Sequence, residues 1–224
     1  MTNMEQLKID GRNVLRRGAN SEHDFKGTLV LLHGYGADEY DLMGLSPYFE
    51  PDLDILSIRG PGQTPYGGAS WFDIDMLSDG SLKFNVSQAQ ASCDGVITLI
   101  DQLKAEGVIK DEKIILAGFS QGASISNLIT LNKPDLIRAL LLMSGRLTEG
   151  VELLTTAAES LKGLPVFAGH GTMDQVIPID YGRKIVSFWE SLPVNLDHHE
   201  YAMGHEINQE ELTHIQNWFE GFLI

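Results

Sequence analysis

Short apolar runs alternate along this chain with longer segments whose apolar residues recur every three to four positions. The runs at 28–32, 54–58, 113–117, 139–143, 165–168 and 194–201 predict strands. Several are apolar nearly throughout, the pattern of parallel strands covered on both faces. A weaker pair, 7–9 and 13–17, predicts an antiparallel hairpin turning at Asp10-Gly11. From 87 to 106, Ala89, Cys93, Val96, Ile97, Ile100 and Leu103 fall on one helical face. Ser87 and Gln90 have the spacing of a capping box, and Gly107 marks the stop. Segment 181–192 predicts a helix closed by Pro193, and 209–222 another, capped by Asn208. The alternation predicts an α/β fold with a mostly parallel central sheet and helices on both faces.

One stretch breaks the pattern. Residues 60–80 are rich in Gly and Pro, hold Tyr66, Trp71 and Phe72, and show no period. A segment of that length inside a compact domain reads as a substrate-facing loop. Residues 1–224 read as a single domain with a core of ordinary size.

Charge narrows the function classes. Sixteen Lys and Arg oppose 31 Asp and Glu, giving a formal −15 at pH 7. Such a chain repels phosphate backbones, so no nucleic-acid partner is expected. A single cysteine leaves no internal disulfide and no thiolate metal cluster. No apolar run approaches membrane-spanning length, and Met1 to Asp10 lack a signal-peptide core. The expectation is a cytoplasmic protein without a membrane span.

The chemistry starts at Gly118-Phe119-Ser120-Gln121-Gly122, which follows an apolar strand and precedes a helix. This is the G-x-S-x-G form of a nucleophile elbow, where a sharp turn lifts a serine above the carboxyl end of the sheet. Gly118, Gly122 and Ala123 supply the small neighbours that such a turn requires. As bare letters the motif is weak, and a strand–helix turn with an incidental serine also fits it.

A serine hydroxyl needs a base, and the base needs an orienting carboxylate. The hydrolase order is serine, acid, histidine. Asp174 lies just past the 165–168 strand, and His205 just past the 194–201 strand. Asp180 is the rival acid, but it falls at the start of a helix. The other histidines fit less well. His198 and His199 are strand neighbours pointing to opposite faces, His214 sits mid-helix on an exposed side, and His23 lies in a polar loop. His170 suits a local hydrogen bond.

Two amide donors are needed for a developing oxyanion. Gln121 N–H, at a helix start, is one candidate. Tyr35 N–H is the other, in Leu32-His33-Gly34-Tyr35-Gly36-Ala37-Asp38. That loop lacks the third glycine of a dinucleotide fingerprint. Trp71, Phe72, Phe119, Val176 and Ile177 are candidate substrate-binding residues for an apolar acyl pocket. Arg59 suits a surface ion pair better than a substrate contact.

Taken together, LLHGYGAD at 31–38, SWFDI at 70–74, LAGFSQGA at 116–123, GHGTMDQVIP at 169–178 and MGHEI at 203–207 resemble the phospholipase/carboxylesterase family of α/β-hydrolases. That family includes acyl-protein thioesterases and small bacterial carboxylesterases. The resemblance spans nearly the whole chain. It implies an α/β-hydrolase fold, a Ser120, Asp174 and His205 triad, and oxyanion donors from Tyr35 and Gln121. It also implies hydrolysis of esters or thioesters without metal or other cofactor, and a homodimer. The 59–69 segment departs from the eukaryotic thioesterases and looks more like the bacterial members. The related dienelactone hydrolases use a cysteine nucleophile, whereas position 120 is Ser and Cys93 falls on a helical apolar face. A catalytically idle protein on the same fold is the alternative, since fold does not guarantee function. Metal-dependent hydrolysis lacks an HExxH or a similar cluster.

Overall fold

A strand buried on both faces is apolar at nearly every position, and that pattern locates the centre of the molecule. In a computed structural model, which describes residues 4–65, 67–76, 82–149, 151 and 158–223, β3 (Gly27–Leu32) and β4 (Leu53–Ile58) are buried at every position. They sit in an eight-stranded sheet with β1 (Met4–Ile9), β2 (Arg12–Arg17), β9 (Ile114–Phe119), β10 (Ile137–Met143), β11 (Pro165–Gly171) and β12 (Asn195–Tyr201). The order is β1-β2-β4-β3-β9-β10-β11-β12. In this sheet β1 pairs antiparallel with β2 and β2 with β4, and the run β4-β3-β9-β10-β11-β12 is parallel throughout.

Alternation along each strand feeds two cores. Val30, Leu32, Leu116 and Leu142 face one side, with α1 (Val86–Ala105), α2 (Gln121–Asn132) and α3 (Ile179–Glu190) laid over them. Leu29, Leu31, Ala117 and Leu141 face the other, covered by α4 (Gln209–Glu220) and the short 3-10 turn Leu42–Tyr48. Helices on both faces are therefore observed, three long ones on one side and one on the other.

The hairpin turns at Asp10 and Gly11, both at positive φ (48° and 79°). Asn208 caps α4 by accepting the Glu211 N–H. The capping box at Ser87 and Gln90 is not formed. Asn85 is the cap instead, accepting Gln88 N–H at 3.1 Å, and α1 begins at Val86. The Gln88 side chain is held elsewhere, accepting from Asp73 N–H and donating to Asp73 Oδ2, which fixes that register. The helix expected at 181–192 runs two residues earlier, following Pro178.

The 60–80 segment is more ordered than its composition suggests. β5 (Gly62–Gln63) pairs with β6 (Ala69–Ser70), and β7 (Ile74–Met76) with β8 (Leu82–Phe84). Tyr66, residues 77–80 and the Met76 side chain lie outside the described residues. His214 is not a free surface group: its Nδ1 meets Tyr201 Oη at 3.1 Å and its ring lies 4.2 Å from that of His199.

Candidate active site

The elbow forms because two backbones must nearly touch there. A Cβ at Gly118 would overlap the Gly122 carbonyl carbon, and one at Gly122 would overlap the Leu32 carbonyl. Only glycine lets α2 start this close to β9 and β3. Ser120 then occupies φ 55° and ψ −115°, a conformation that L-residues seldom adopt. Its N–H donates to Met143 O at 2.9 Å, and its carbonyl accepts from Ala123 and Ser124 N–H. Neighbouring strand and helix thus over-determine the strained residue.

Asp174 and His205 reach Ser120 from the ends of β11 and β12. His205 Nδ1 lies 2.7 Å from Asp174 Oδ2, and His205 Nε2 lies 2.9 Å from Ser120 Oγ. A carboxylate only accepts, so Nδ1 carries the proton and the bare Nε2 receives the serine hydroxyl. Asp174 is buried, and its other oxygen accepts Val176 and Ile177 N–H, each at 2.8 Å. Both oxygens of this carboxylate are therefore held in place before substrate arrives. His170 Nε2 donates to Ile177 O at 2.8 Å and lies 3.5 Å from Asp174 Oδ2, so its local role holds. Burial lowers the His170 pKa, which keeps that ring neutral beside the acid. The Phe119 ring packs 4.9 Å from the His205 ring and limits its swing. Asp180 sits exposed in the first turn of α3 and faces Arg183 at 3.7 Å, away from this relay.

The loop after β3 is built around His33. Gly60 N–H donates to His33 Nε2 at 2.9 Å, so Nδ1 holds the proton and donates to Gly34 O at 2.7 Å. Burial lowers its pKa, in keeping with this neutral tautomer. The loop is laced to β6: Gly36 N–H donates to Ala69 O, and Ala69 N–H to Ala37 O. A Cβ at Gly34 would stand 3.4 Å from Ser120 Cβ, so the loop passes directly beside the nucleophile. Among the described residues Tyr35 N–H has no acceptor, and Gln121 N–H opens α2, where no intrahelical acceptor exists.

Trp71 is a correction. It is 1% exposed and does not line the cavity. Its indole N–H donates to His33 O at 2.8 Å, and its backbone N–H to Gln121 Oε1 at 2.7 Å. It braces the loop and the elbow instead of meeting a substrate. Phe72, Phe119, Val176 and Ile177 do line the cavity, which has a volume of about 520 Å³ and opens on Ser120 and His205. That volume suits a small organic ligand. Sequence reasoning missed Ile74, Phe84, Tyr181 and Arg146 on its wall. Arg146 carried a usable signal, since it lies just past the carboxyl end of β10. Arg59 is paired as expected, at 2.8 Å from Glu39, but that partner is buried, so the ion pair is half-buried instead of lying at the surface. Cys93 is fully buried, and burial pushes its thiol up to about 12.

Among the described residues no group of three or more His, Cys, Asp or Glu is arranged to hold a metal ion, and no helix is long and apolar enough to cross a membrane.

Residues 18–222 match the sequence model of the phospholipase/carboxylesterase family. The chain belongs to that family. A Candida albicans protein named acyl-protein thioesterase 1 is 35% identical to this member over 209 residues, 85% of this chain and 89% of the relative. The Kluyveromyces lactis protein of that name is 32% identical over 214 residues, 89% of this chain and 93% of its own. The crystal structure of a Bacillus cereus carboxylesterase is similar with a TM-score of 0.82 over 95% of both chains, at 21% identity. This family member is thus a hydrolase enzyme on the α/β-hydrolase fold, as its motifs led one to expect.

Proposed function

We propose that the enzyme cleaves carboxylic esters or thioesters through an acyl-enzyme on Ser120. The observation that carries this reading is the His205 ring, bridged to Asp174 on one nitrogen and to Ser120 on the other. His205 takes the hydroxyl proton as Oγ attacks the substrate carbonyl. The Tyr35 and Gln121 N–H groups receive the oxyanion. Asp174 holds the tautomer and stabilises the imidazolium. The leaving alcohol or thiol takes the proton back from His205. Water then attacks the acyl-enzyme with the same groups in reversed roles. The Phe72, Phe119, Val176 and Ile177 wall supplies apolar surface for the substrate beside Ser120, and the 60–80 segment contributes part of that wall.

The names of the fungal relatives favour including thioesters, and the family name favours esters. The test is a series of nitrophenyl esters and acyl thioesters of graded length on wild type and Ser120→Ala, alongside labelling by a fluorophosphonate. Ser120→Ala should lose several orders of magnitude in rate and all labelling. Persistent turnover in that variant would overturn the reading.

We read residues 1–224 as one domain acting in a reducing, cytoplasmic setting, which suits a lone buried thiol. The proposed homodimer is checked by sedimentation equilibrium.

A further inference from the structure

The active-site cavity holds one cation among its described lining residues, Arg146. Its position is tightly held. Ser124 Oγ donates to Arg146 O at 2.8 Å, tying residue 146 to the helix that begins beside Ser120. A Cβ at Gly145 would press into Ala123, so the chain after β10 lies close against that helix.

The guanidinium is sandwiched between aromatic faces. Its central carbon lies 3.7 Å from the Phe84 ring centroid and 4.9 Å from that of Tyr181. The side chain is only 14% exposed. Its polar contacts among the described residues are weak: Nε to Leu147 O at 3.4 Å, and one terminal nitrogen to the exposed Glu149 at 4.0 Å. A guanidinium has five N–H donors, so among the described residues most of its fork is uncommitted. Burial acts against its charge and lowers its pKa, yet an arginine keeps its proton. A second cation, Lys184 Nζ, lies 5.0 Å from the Tyr181 ring. Among the described lining residues the one carboxylate is Asp41.

A structural arginine in a family core would be expected to end on a carboxylate or on several carbonyls. Arg17 does so, donating to the carbonyls of Ser46, Glu50 and Leu53. Arg146 instead has, among the described residues, no such set of partners for its flat, partly dehydrated fork, and it lines the cavity that opens on Ser120. A planar carboxylate matches that fork on two N–H groups, and a cation short of partners gains by receiving one.

We propose that Arg146, stacked between Phe84 and Tyr181, binds a carboxylate carried by the substrate, so that the enzyme prefers half-esters or half-thioesters of dicarboxylic acids over neutral esters. This inference rests on the serine-hydrolase reading for turnover, but its binding claim stands separately. The net charge of −15 does not oppose it at contact range, because separated surface charges are screened beyond about 10 Å at ordinary salt.

The test compares 4-nitrophenyl hydrogen succinate with 4-nitrophenyl methyl succinate, which differ by one charge at nearly equal size. Wild type should favour the charged ester in kcat/KM by about ten-fold or more, a preference that narrows in 0.5 M salt, as a charge-assisted contact requires. Arg146→Gln should cut kcat/KM for the charged ester about ten- to a hundred-fold further than for the neutral one, mainly through KM. Arg146→Lys keeps the charge but loses the fork, so its ratio should fall between the two. In parallel, succinate binding is followed by tryptophan fluorescence in wild type and Arg146→Gln, with no chemistry involved. A wild type without preference, an Arg146→Gln that loses both esters equally, or an Arg146→Lys with the wild-type ratio overturns the proposal. Arg146-dependent succinate binding without turnover of either ester supports the anion site and sinks the hydrolase reading. Turnover of the neutral ester without Arg146-dependent succinate binding does the reverse.

Discussion

Gln121 Oε1 accepts the Trp71 backbone N–H at 2.7 Å, and the same side chain returns a bond from Nε2 to Phe72 O at 2.7 Å. The residue after Ser120 therefore clamps the segment that walls the cavity with its amide side chain, while its backbone N–H is the proposed oxyanion donor. Gln121→Glu keeps the acceptor for Trp71 N–H and loses the donor, leaving one carboxylate oxygen facing the Phe72 carbonyl oxygen. It should cost about 1–3 kcal/mol of stability, as buried unpaired polar groups do. It should also lower kcat about ten-fold by loosening the donor at residue 121. Urea unfolding and ester kinetics check the two effects, and an unchanged unfolding midpoint refutes the clamp.

Asp174 presents one oxygen to His205 and the other to the Val176 and Ile177 amides. Asp174→Asn can still accept those two backbone N–H groups with its carbonyl oxygen. Its amide then turns a donor toward His205 Nδ1, which must give up its proton and move it to Nε2. The base toward Ser120 is lost. kcat should fall about 10⁴-fold, while the melting temperature moves little. Comparable losses in rate and in stability would mean that Asp174 acts mainly as a structural anchor.

The proposed triad was legible because Ser120, Asp174 and His205 each sit just past a strand end and in one chain order, a pattern carried by local sequence. The strands were legible for a similar reason: runs such as Leu29–Val30–Leu31–Leu32 have no polar face to hide. Trp71 was misread because an aromatic in a Gly- and Pro-rich stretch looks like a rim residue. Its true partners, His33 O and Gln121 Oε1, lie on other parts of the chain. Arg146 was missed for the same reason, since Phe84 and Tyr181 come to it through tertiary packing alone. At the start of α1, Asn85 and Ser87 are both competent caps; Gln88 decides between them by bonding Asp73.

Glycine matters unequally along the chain. Gly122 packs against the Leu32 and His33 carbonyls, where a Cβ has no room. Those neighbours are backbone at and just past the end of β3 and cannot step aside. Gly122→Ala should abolish soluble expression or cost more than about 3 kcal/mol, as overpacking of a rigid site does. Gly11 has open space around it, and its φ of 79° is the sole objection to a side chain. Gly11→Ala should cost about 1 kcal/mol through backbone strain. Thermal unfolding of the two variants, run together, measures the contrast, and equal losses would refute the steric account of the elbow.

Glu211 lies in α4, just beyond the His205 loop, fully buried, with neither carboxyl oxygen partnered among the described residues. Its surroundings are the Gly169 backbone and the Tyr201 ring, and burial alone pushes its pKa from 4.5 up to about 8. The unfolded chain therefore releases this proton near pH 4.5, whereas the folded one keeps it until about pH 8. Between those values the folded state binds more protons, so stability falls as pH rises, and the full penalty is reached above the folded value. Glu211→Gln has nothing to titrate. Its melting temperature relative to wild type should rise steadily from pH 5 to pH 9, by a few degrees in total, corresponding to about 1–3 kcal/mol for a chain of this size. A gap between variant and wild type that stays constant over that range would mean Glu211 is ionised and paired in the folded protein.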